Sequence, residues 1–240
     1  MTKPAGISLD SVVKHFSTPA GHVRAVDGIT LEVDPGGSLA ITGPSGCGKS
    51  TLLGLIGGLE APSAGRVSIG GREISSLSER ERARLRREEL GLVFQSDCLL
   101  PFLSAVENVA LQLALHGAAD GYERCLEVLA ELGLADDVDK LPDQLSGGQR
   151  QRIAVARALI HGPSVILADE PTGELDADNS AAVIDILLAA QNETSATLVV
   201  VTHDLGVARQ LDRTVQLLDG LLDGDSDEGP TLADRSRAGA

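Results

Sequence analysis

Two hydrophobic rhythms alternate along this chain. The first stretch is alternating or continuously apolar over Ile7–Val13, Val23–Val33 and Ser38–Thr42, with Pro19-Ala20-Gly21 and Pro35-Gly36-Gly37 between the runs. Short apolar runs bounded by turn residues predict strands, the second broken near Asp27-Gly28. Arg66–Ile69 and Gly91–Phe94 predict two more. Between Cys98 and Leu145 the spacing becomes helical. Ser104 and Glu107 stand as a capping box ahead of Val106, Val109, Ala110 and Leu113. Leu126, Leu129 and Leu132 repeat within Tyr122–Leu132, and Gly133 follows as a C-cap. After Ser146 come a helix to Ile160, a strand Val165–Ala168, a helix from about Ala177 to Ala190 and a strand Leu198–Thr202. Such alternation predicts an α/β fold: a mostly parallel sheet covered by helices, with the helical middle inserted into it. Asp219-Gly220 between apolar pairs predicts a terminal hairpin.

The expected organisation is an α/β core over 1–95 and 150–222 and a helical subdomain over 96–149. An acidic, Gly-rich tail follows over 223–240, read as disordered from Asp225 onward.

Composition narrows the function. Of 240 residues, 42% are apolar but only 2% aromatic: Phe16, Phe94, Phe102 and Tyr122. The core must come from Leu, Val, Ile and Ala, and a base-stacking platform for single-stranded nucleic acid is disfavoured. Lys and Arg number 20 and Asp and Glu 35, a net charge of −15. The overall field repels nucleic acid and anionic lipid, so no nucleic-acid partner is expected. Arg80, Arg82, Arg84, Arg86 and Arg87 alternate with or adjoin Glu79, Glu81, Glu88 and Glu89, which favours a solvated, internally paired helix over a basic patch. No apolar run approaches the ~18 residues of a membrane span. Met1–Leu9 lacks the apolar core of a signal peptide. Cys47, Cys98 and Cys125 show no metal or disulfide spacing, as in a reducing cytoplasm.

The chemistry concentrates at Gly43-Pro44-Ser45-Gly46-Cys47-Gly48-Lys49-Ser50-Thr51, which fits G-x-x-x-x-G-K-[ST] after a strand and opening a helix at about Lys49. Glycines let backbone N–H groups converge on phosphate oxygens, and the helix start adds its positive dipole end. Lys49 is expected to reach the β and γ phosphates and Ser50 to hold Mg²⁺. At the end of the strand Val165-Ile166-Leu167-Ala168, Asp169 is suited to Mg²⁺ and Glu170 to polarising an attacking water. Cys47, beside Lys49 and a helix N-terminus, has surroundings that favour a reactive thiolate. The competing reading is a small filler with its sulfur turned inward. Leu145-Ser146-Gly147-Gly148-Gln149 precedes a second helix. Its local chemistry suits a phosphate-binding helix start and a plainly capped helix equally well.

Taken together, the Walker A motif at Gly43–Thr51, LSGGQ at Leu145–Gln149, the Walker B motif at Val165–Glu170 and the downstream His203 resemble the ATP-binding cassette (ABC) ATPases over roughly Ile7 to Asp219. The resemblance implies a P-loop NTPase core, an antiparallel β subdomain and a helical insertion. It implies ATP and Mg²⁺ as ligands and a head-to-tail dimer in which Walker A of one copy faces the signature Ser146, Gly147, Gly148 and Gln149 of the other. By matching position, Gln95 senses Mg²⁺ and the attacking water, Asp176 crosses the dimer interface, His203 contacts the γ-phosphate and Phe16, next to His15, stacks on adenine.

The surroundings of the motifs, Gly91–Gln95, Leu99-Leu100-Pro101, Glu107-Asn108-Val109 and Leu167–Gly173, resemble the lipoprotein-releasing and macrolide-exporting branch. Amino-acid importer ATPases usually carry Phe where Ala168 stands. Glu174 departs from the branch, which usually has Asn there. The branch implies a separate membrane permease that moves an amphipathic or hydrophobic substrate, with this chain held on the inner face of the cell membrane. The permease is expected to meet Cys98, Leu99, Leu100, Phe102 and Leu103. The alternatives are an importer subunit or a non-transport ATPase of the same superfamily. The non-transport members carry a long coiled coil, two cassettes, or a site lacking Glu170 or His203, and this chain has none of these features.

Overall fold

In the computed structural model, which describes residues 3–18, 21–117 and 121–226, strands β1 (Ile7–Thr18) and β2 (Gly21–Val33) lead into β3 (Ser38–Thr42) and helix α1 (Lys49–Ile56). Next come β4 (Ala64–Ile69), β5 (Arg72–Glu73), α2 (Glu79–Glu89) and β6 (Leu90–Val93). Helices α3 (Ala105–Leu115), α4 (Tyr122–Glu131) and α5 (Gly147–Leu159) follow, then β7 (Val165–Asp169), α6 (Ala177–Thr194) and β8 (Thr197–Val201). The short α7 (Leu205–Ala208) and the hairpin β9 (Arg213–Leu218) and β10 (Leu221–Ser226) end the described chain.

Two sheets form. The antiparallel one has the order β2-β1-β4-β5, the other β10-β9-β3-β8-β7-β6. In the larger sheet β3, β6, β7, β8 and β9 run parallel, and only β10 is antiparallel. Strand alternation divides its side chains between two apolar layers. Leu39, Ile41, Val165, Leu167, Val199 and Val201 face the layer shared with α1 and the antiparallel sheet. Ala40, Ile166, Ala168, Leu198 and Val200 face α5, α6 and α7. A third apolar cluster, including Val106, Val109, Leu129 and Ile153, joins α3, α4 and α5. Helix α5 therefore runs unbroken through the expected boundary at 149/150 and packs on both the helical layer and the core.

Three differences from the sequence reading have simple causes. β1 extends past Val13 to Thr18 because β2 supplies a pairing partner for each polar residue, down to Thr18↔Gly21. β2 is not broken at Asp27-Gly28. The irregularity is absorbed as register shifts in the β1–β2 pairing, with Gly28 at φ 77. β10 continues to Ser226, where disorder was expected from Asp225, and the rest of the expected tail, residues 227–240, lies outside the described residues. The α2 arginines pair within their own helix, Arg82 and Arg86 with Glu79 at 2.7 and 2.8 Å and Arg84 with Glu88 at 3.0 Å, as mixed charges at helical spacing predict.

Candidate functional site

The four parallel strands that carry the motifs end at the same edge of the sheet, where open α/β folds bind ligands. β3 runs into the phosphate loop, β6 into Gln95, β7 ends on Asp169, and β8 leads to His203. The loop must be glycine at two positions. At Gly43 (φ 144) a Cβ would collide with the Leu217 carbonyl, and at Gly48 (φ 107) with the Ala25 carbonyl. The turn of the terminal hairpin braces it: Gly220 N–H donates to the Cys47 carbonyl at 3.1 Å, and Asp27 N–H to the Gly220 carbonyl at 2.9 Å. A cavity of about 360 Å³ lies against the loop, lined by Val23, Ala25, residues 46–51 and Gly220 among others. Phe16 pairs across the sheet with Val23 of that lining, and the Lys14 ammonium stands 5.0 Å over its ring.

Lys49 is 8% exposed and donates from Nζ to the Gly43 and Pro44 carbonyls at 2.8 and 3.0 Å, holding its charge over the loop. Ser50 Oγ donates to Asp169 Oδ1 at 3.1 Å across 119 residues of sequence. Burial pushes the Asp169 carboxyl up from its ordinary value. The Ser50 hydrogen bond opposes this, the Glu170 charge adds to it, and Lys49 opposes it. The hard oxygen pair of Ser50 and Asp169, beside a lysine, suits a divalent cation such as Mg²⁺.

Glu170 takes a left-handed conformation (φ 46) with its N–H on the Val201 carbonyl at 2.9 Å. Its Oε2 lies 2.8 Å from His203 Nδ1 and 3.4 Å from the His203 N–H. A carboxylate and an imidazole 33 residues apart are thus one unit. Gln95 is brought to the turn after them: a Cβ at Gly173 would come within 3.2 Å of its Nε2. The hydrogen bonds of the described residues do not join Gln95 to Ser50 or Asp169.

Cys47 differs from the reactive-thiol reading. Its side chain is 5% exposed and belongs to the apolar cluster under the loop, so the inward filler is what the fold builds.

The signature starts α5. Ser146 Oγ accepts the Gln149 N–H at 3.2 Å, and Gln149 Oε1 accepts the Ser146 N–H at 2.8 Å, a complete capping box. No residue of Leu145–Gln149 lines the cavity at the phosphate loop. Gly148 is packed so closely under Asn179 that a Cβ there would collide with its amide. Asp176 caps α6 through the Asn179 N–H at 2.9 Å and holds the Asn179 amide with both oxygens. The hydrogen bonds from the Asn179 backbone and side chain lower the Asp176 pKa. Asn179 itself was missed by sequence reasoning, although its place three residues after a cap was a usable signal.

The loop after Gln95 is pinned to α5. Arg150 Nε donates to Asp97 Oδ2 at 2.8 Å, and Arg157 donates to the Asp97 and Cys98 carbonyls at 3.0 and 2.9 Å. Asn108, wholly buried, accepts the Leu100 N–H at 2.8 Å and donates to the Leu100, Leu103 and Ser104 carbonyls. Leu99 packs on the helical cluster, while Phe102 at the tip is 72% exposed.

The family model described as ABC transporter matches residues 26–173. This chain belongs to the ABC transporter family. The cassette is 42% identical over 218 residues to the lipoprotein-releasing system ATP-binding protein LolD of Bacteroides thetaiotaomicron, covering 90% of this chain and 98% of that protein. It is 45% identical over 227 residues to the macrolide export ATP-binding/permease protein MacB of Burkholderia pseudomallei, covering 94% of this chain and 34% of that protein. Among solved structures it is similar to the ATP-binding cassette MJ0796 in a dimeric post-hydrolysis state bound to ADP and Pi. The TM-score is 0.86 at 37% identity, over 92% of this chain and 97% of that one. No helix among the described residues of the cassette is long and apolar enough to cross a membrane.

Proposed function

We propose that this chain is the ATP-hydrolysing subunit of an export or membrane-extraction transporter for an amphipathic or hydrophobic substrate. Two copies act head to tail and drive a separate permease, which holds them at the inner face of the cell membrane. The relatives, a lipoprotein-releasing ATP-binding protein and a macrolide exporter, support the branch. The observation that carries the head-to-tail reading is the separation of two anion-binding elements in one chain. The cavity at the phosphate loop includes none of Leu145–Gln149, and in this reading a second copy brings its signature to it.

In this reading the loop N–H groups and Lys49 hold the β and γ phosphates, and Phe16 lies against adenine. Ser50, Asp169 and Gln95 would hold Mg²⁺, which would neutralise phosphate charge there. Glu170 takes a proton from the water whose oxygen attacks the γ-phosphorus, and ADP departs with the bridging oxygen. His203, already bonded to Glu170, fixes that carboxylate. Asp176 of each copy borders the interface. Phe102 and its neighbours form the permease contact.

Glu170→Gln tests the assignment. Loss of a positioned base costs about 10²–10⁴-fold in turnover, while nucleotide still binds, so the variant is expected to run as an ATP-dependent dimer on size exclusion. Near-normal turnover, or a monomer carrying ATP, contradicts the reading.

A further inference from the structure

Both ends of the Gln149 amide are engaged inside its own chain. Its Oε1 takes the Ser146 N–H, and its Nε2 donates to Asp137 Oδ2 at 2.8 Å. The other carboxylate oxygen of Asp137 lies 2.6 Å from Lys140 Nζ. Asp137 is 8% exposed and ends a single 3₁₀ turn, Ala135–Asp137. The segment that follows is stitched to the start of α3. Ala105 N–H donates to the Lys140 carbonyl at 2.9 Å, and Val106 N–H to the Val138 carbonyl at 3.0 Å. A buried carboxylate on a braced segment thus grips one of the two side chains that close the cap of α5.

We propose that Asp137 is a positioning residue for the site each copy presents to its partner's nucleotide. Its carboxylate fixes the Gln149 amide, and that amide holds the Ser146 N–H. The exposed helix start at Ser146 and Gly147 is then held in the geometry that receives phosphate. Gln149 orients the helix start instead of touching ATP. Lys140 offsets the negative charge that Asp137 brings close to an anion site; the hydrogen bond, not that charge pair, sets the geometry. The inference rests on the head-to-tail reading above.

The experiment uses full-length chain carrying Glu170→Gln, in which ATP-driven dimerisation is read directly by size exclusion across an ATP titration. Adding Asp137→Ala is expected to raise the ATP concentration at the dimerisation midpoint about tenfold, the equilibrium equivalent of losing one charge-assisted hydrogen bond. ATP affinity of the Asp137→Ala monomer, measured by calorimetry under conditions too dilute to dimerise, stays unchanged. Asp137→Asn, which keeps an oxygen facing Gln149 Nε2, restores the midpoint to within about threefold, and Lys140→Gln leaves it there too. An unchanged midpoint in Asp137→Ala overturns the proposal. So does an Asn variant as weak as the Ala variant, or monomer affinity falling in parallel. Should Asp137→Ala not fold, Asp137→Ser is read in its place. Failure of the Glu170→Gln parent to dimerise with ATP overturns the head-to-tail reading itself, and the proposal with it.

Discussion

Asn108→Ala is the perturbation that most directly probes how the segment after Gln95 is built. The side chain is completely buried and serves both ends of the turn over Leu100–Ser104: it accepts the Leu100 N–H at 2.8 Å and donates to three carbonyls at 3.0 to 3.2 Å. Its amide has only two N–H donors, so those three contacts amount to about two hydrogen bonds. Removing about three bonds at roughly 0.5–1.5 kcal/mol each, with part of the Leu100 backbone left unpaired, costs about 2–4 kcal/mol. For a chain of this size that lowers the melting temperature by about 4–16 °C. Nucleotide binding should stay close to normal, because Asn108 touches neither the phosphate loop nor Asp169. Co-purification with the permease should fall, since the turn presents Phe102. Differential scanning calorimetry and a pull-down check the two parts. A melting shift below about 2 °C would refute the view that this amide is what holds the turn.

Two further outcomes follow from buried titratable groups. Burial raises the Asp169 carboxyl, so the stability that Asp169 contributes is fullest while it is protonated and declines as pH rises from the ordinary value of 3.8 through the raised one. Asp169→Asn, which can still accept from Ser50, should therefore melt higher than wild type at neutral pH without nucleotide while losing Mg²⁺-dependent turnover. A lower melting point at pH 7 refutes this. His161 is half-buried, 5.1 Å from the His116 ring, in a cavity also lined by Arg86, Arg87 and Arg157. Burial, and then His116, push its pKa down from 6.5 to about 4. Stability from neutral His161 is full above pH 6.5 and is lost as pH falls towards 4. His161→Phe should flatten that acid-side loss in a melting-versus-pH series; an unchanged slope counts against it.

Much of this protein was legible because its chemistry is local. The phosphate loop, the Ser146–Gln149 box and the Asp169-Glu170 pair each occupy a few consecutive residues, and buried strands such as Ser38–Thr42 advertise themselves by continuous apolarity. What was hidden depends on pairings across long stretches of chain. The Ser50–Asp169 and Glu170–His203 bonds join residues that sequence could name but not connect. Asp137, Asn179, Arg150 and Asp97 carried no motif, and their roles arise only once α5, α6 and the loop after Gln95 are packed together. Asn108 was a readable exception, an amide on the apolar face of α3. Cys47 misled because proximity to Lys49 says nothing about which way a loop side chain turns, and the fold turns it into the core. β1 was underestimated because its outer half is polar and owes its extension to β2.

The central question is whether the signature of one copy meets the nucleotide of the other. A mixed dimer answers this when one chain carries Lys49→Ala, which removes its own phosphate grip, and the other keeps Lys49 but carries Ser146→Arg. An ATP analogue with a photoreactive group on the γ-phosphate is added and irradiated, and the two differently tagged chains are separated and mapped by mass spectrometry. The head-to-tail account predicts label on the Leu145–Gln149 peptide of the Lys49→Ala chain, which cannot hold the nucleotide itself. Label confined to the chain that keeps Lys49 would contradict it.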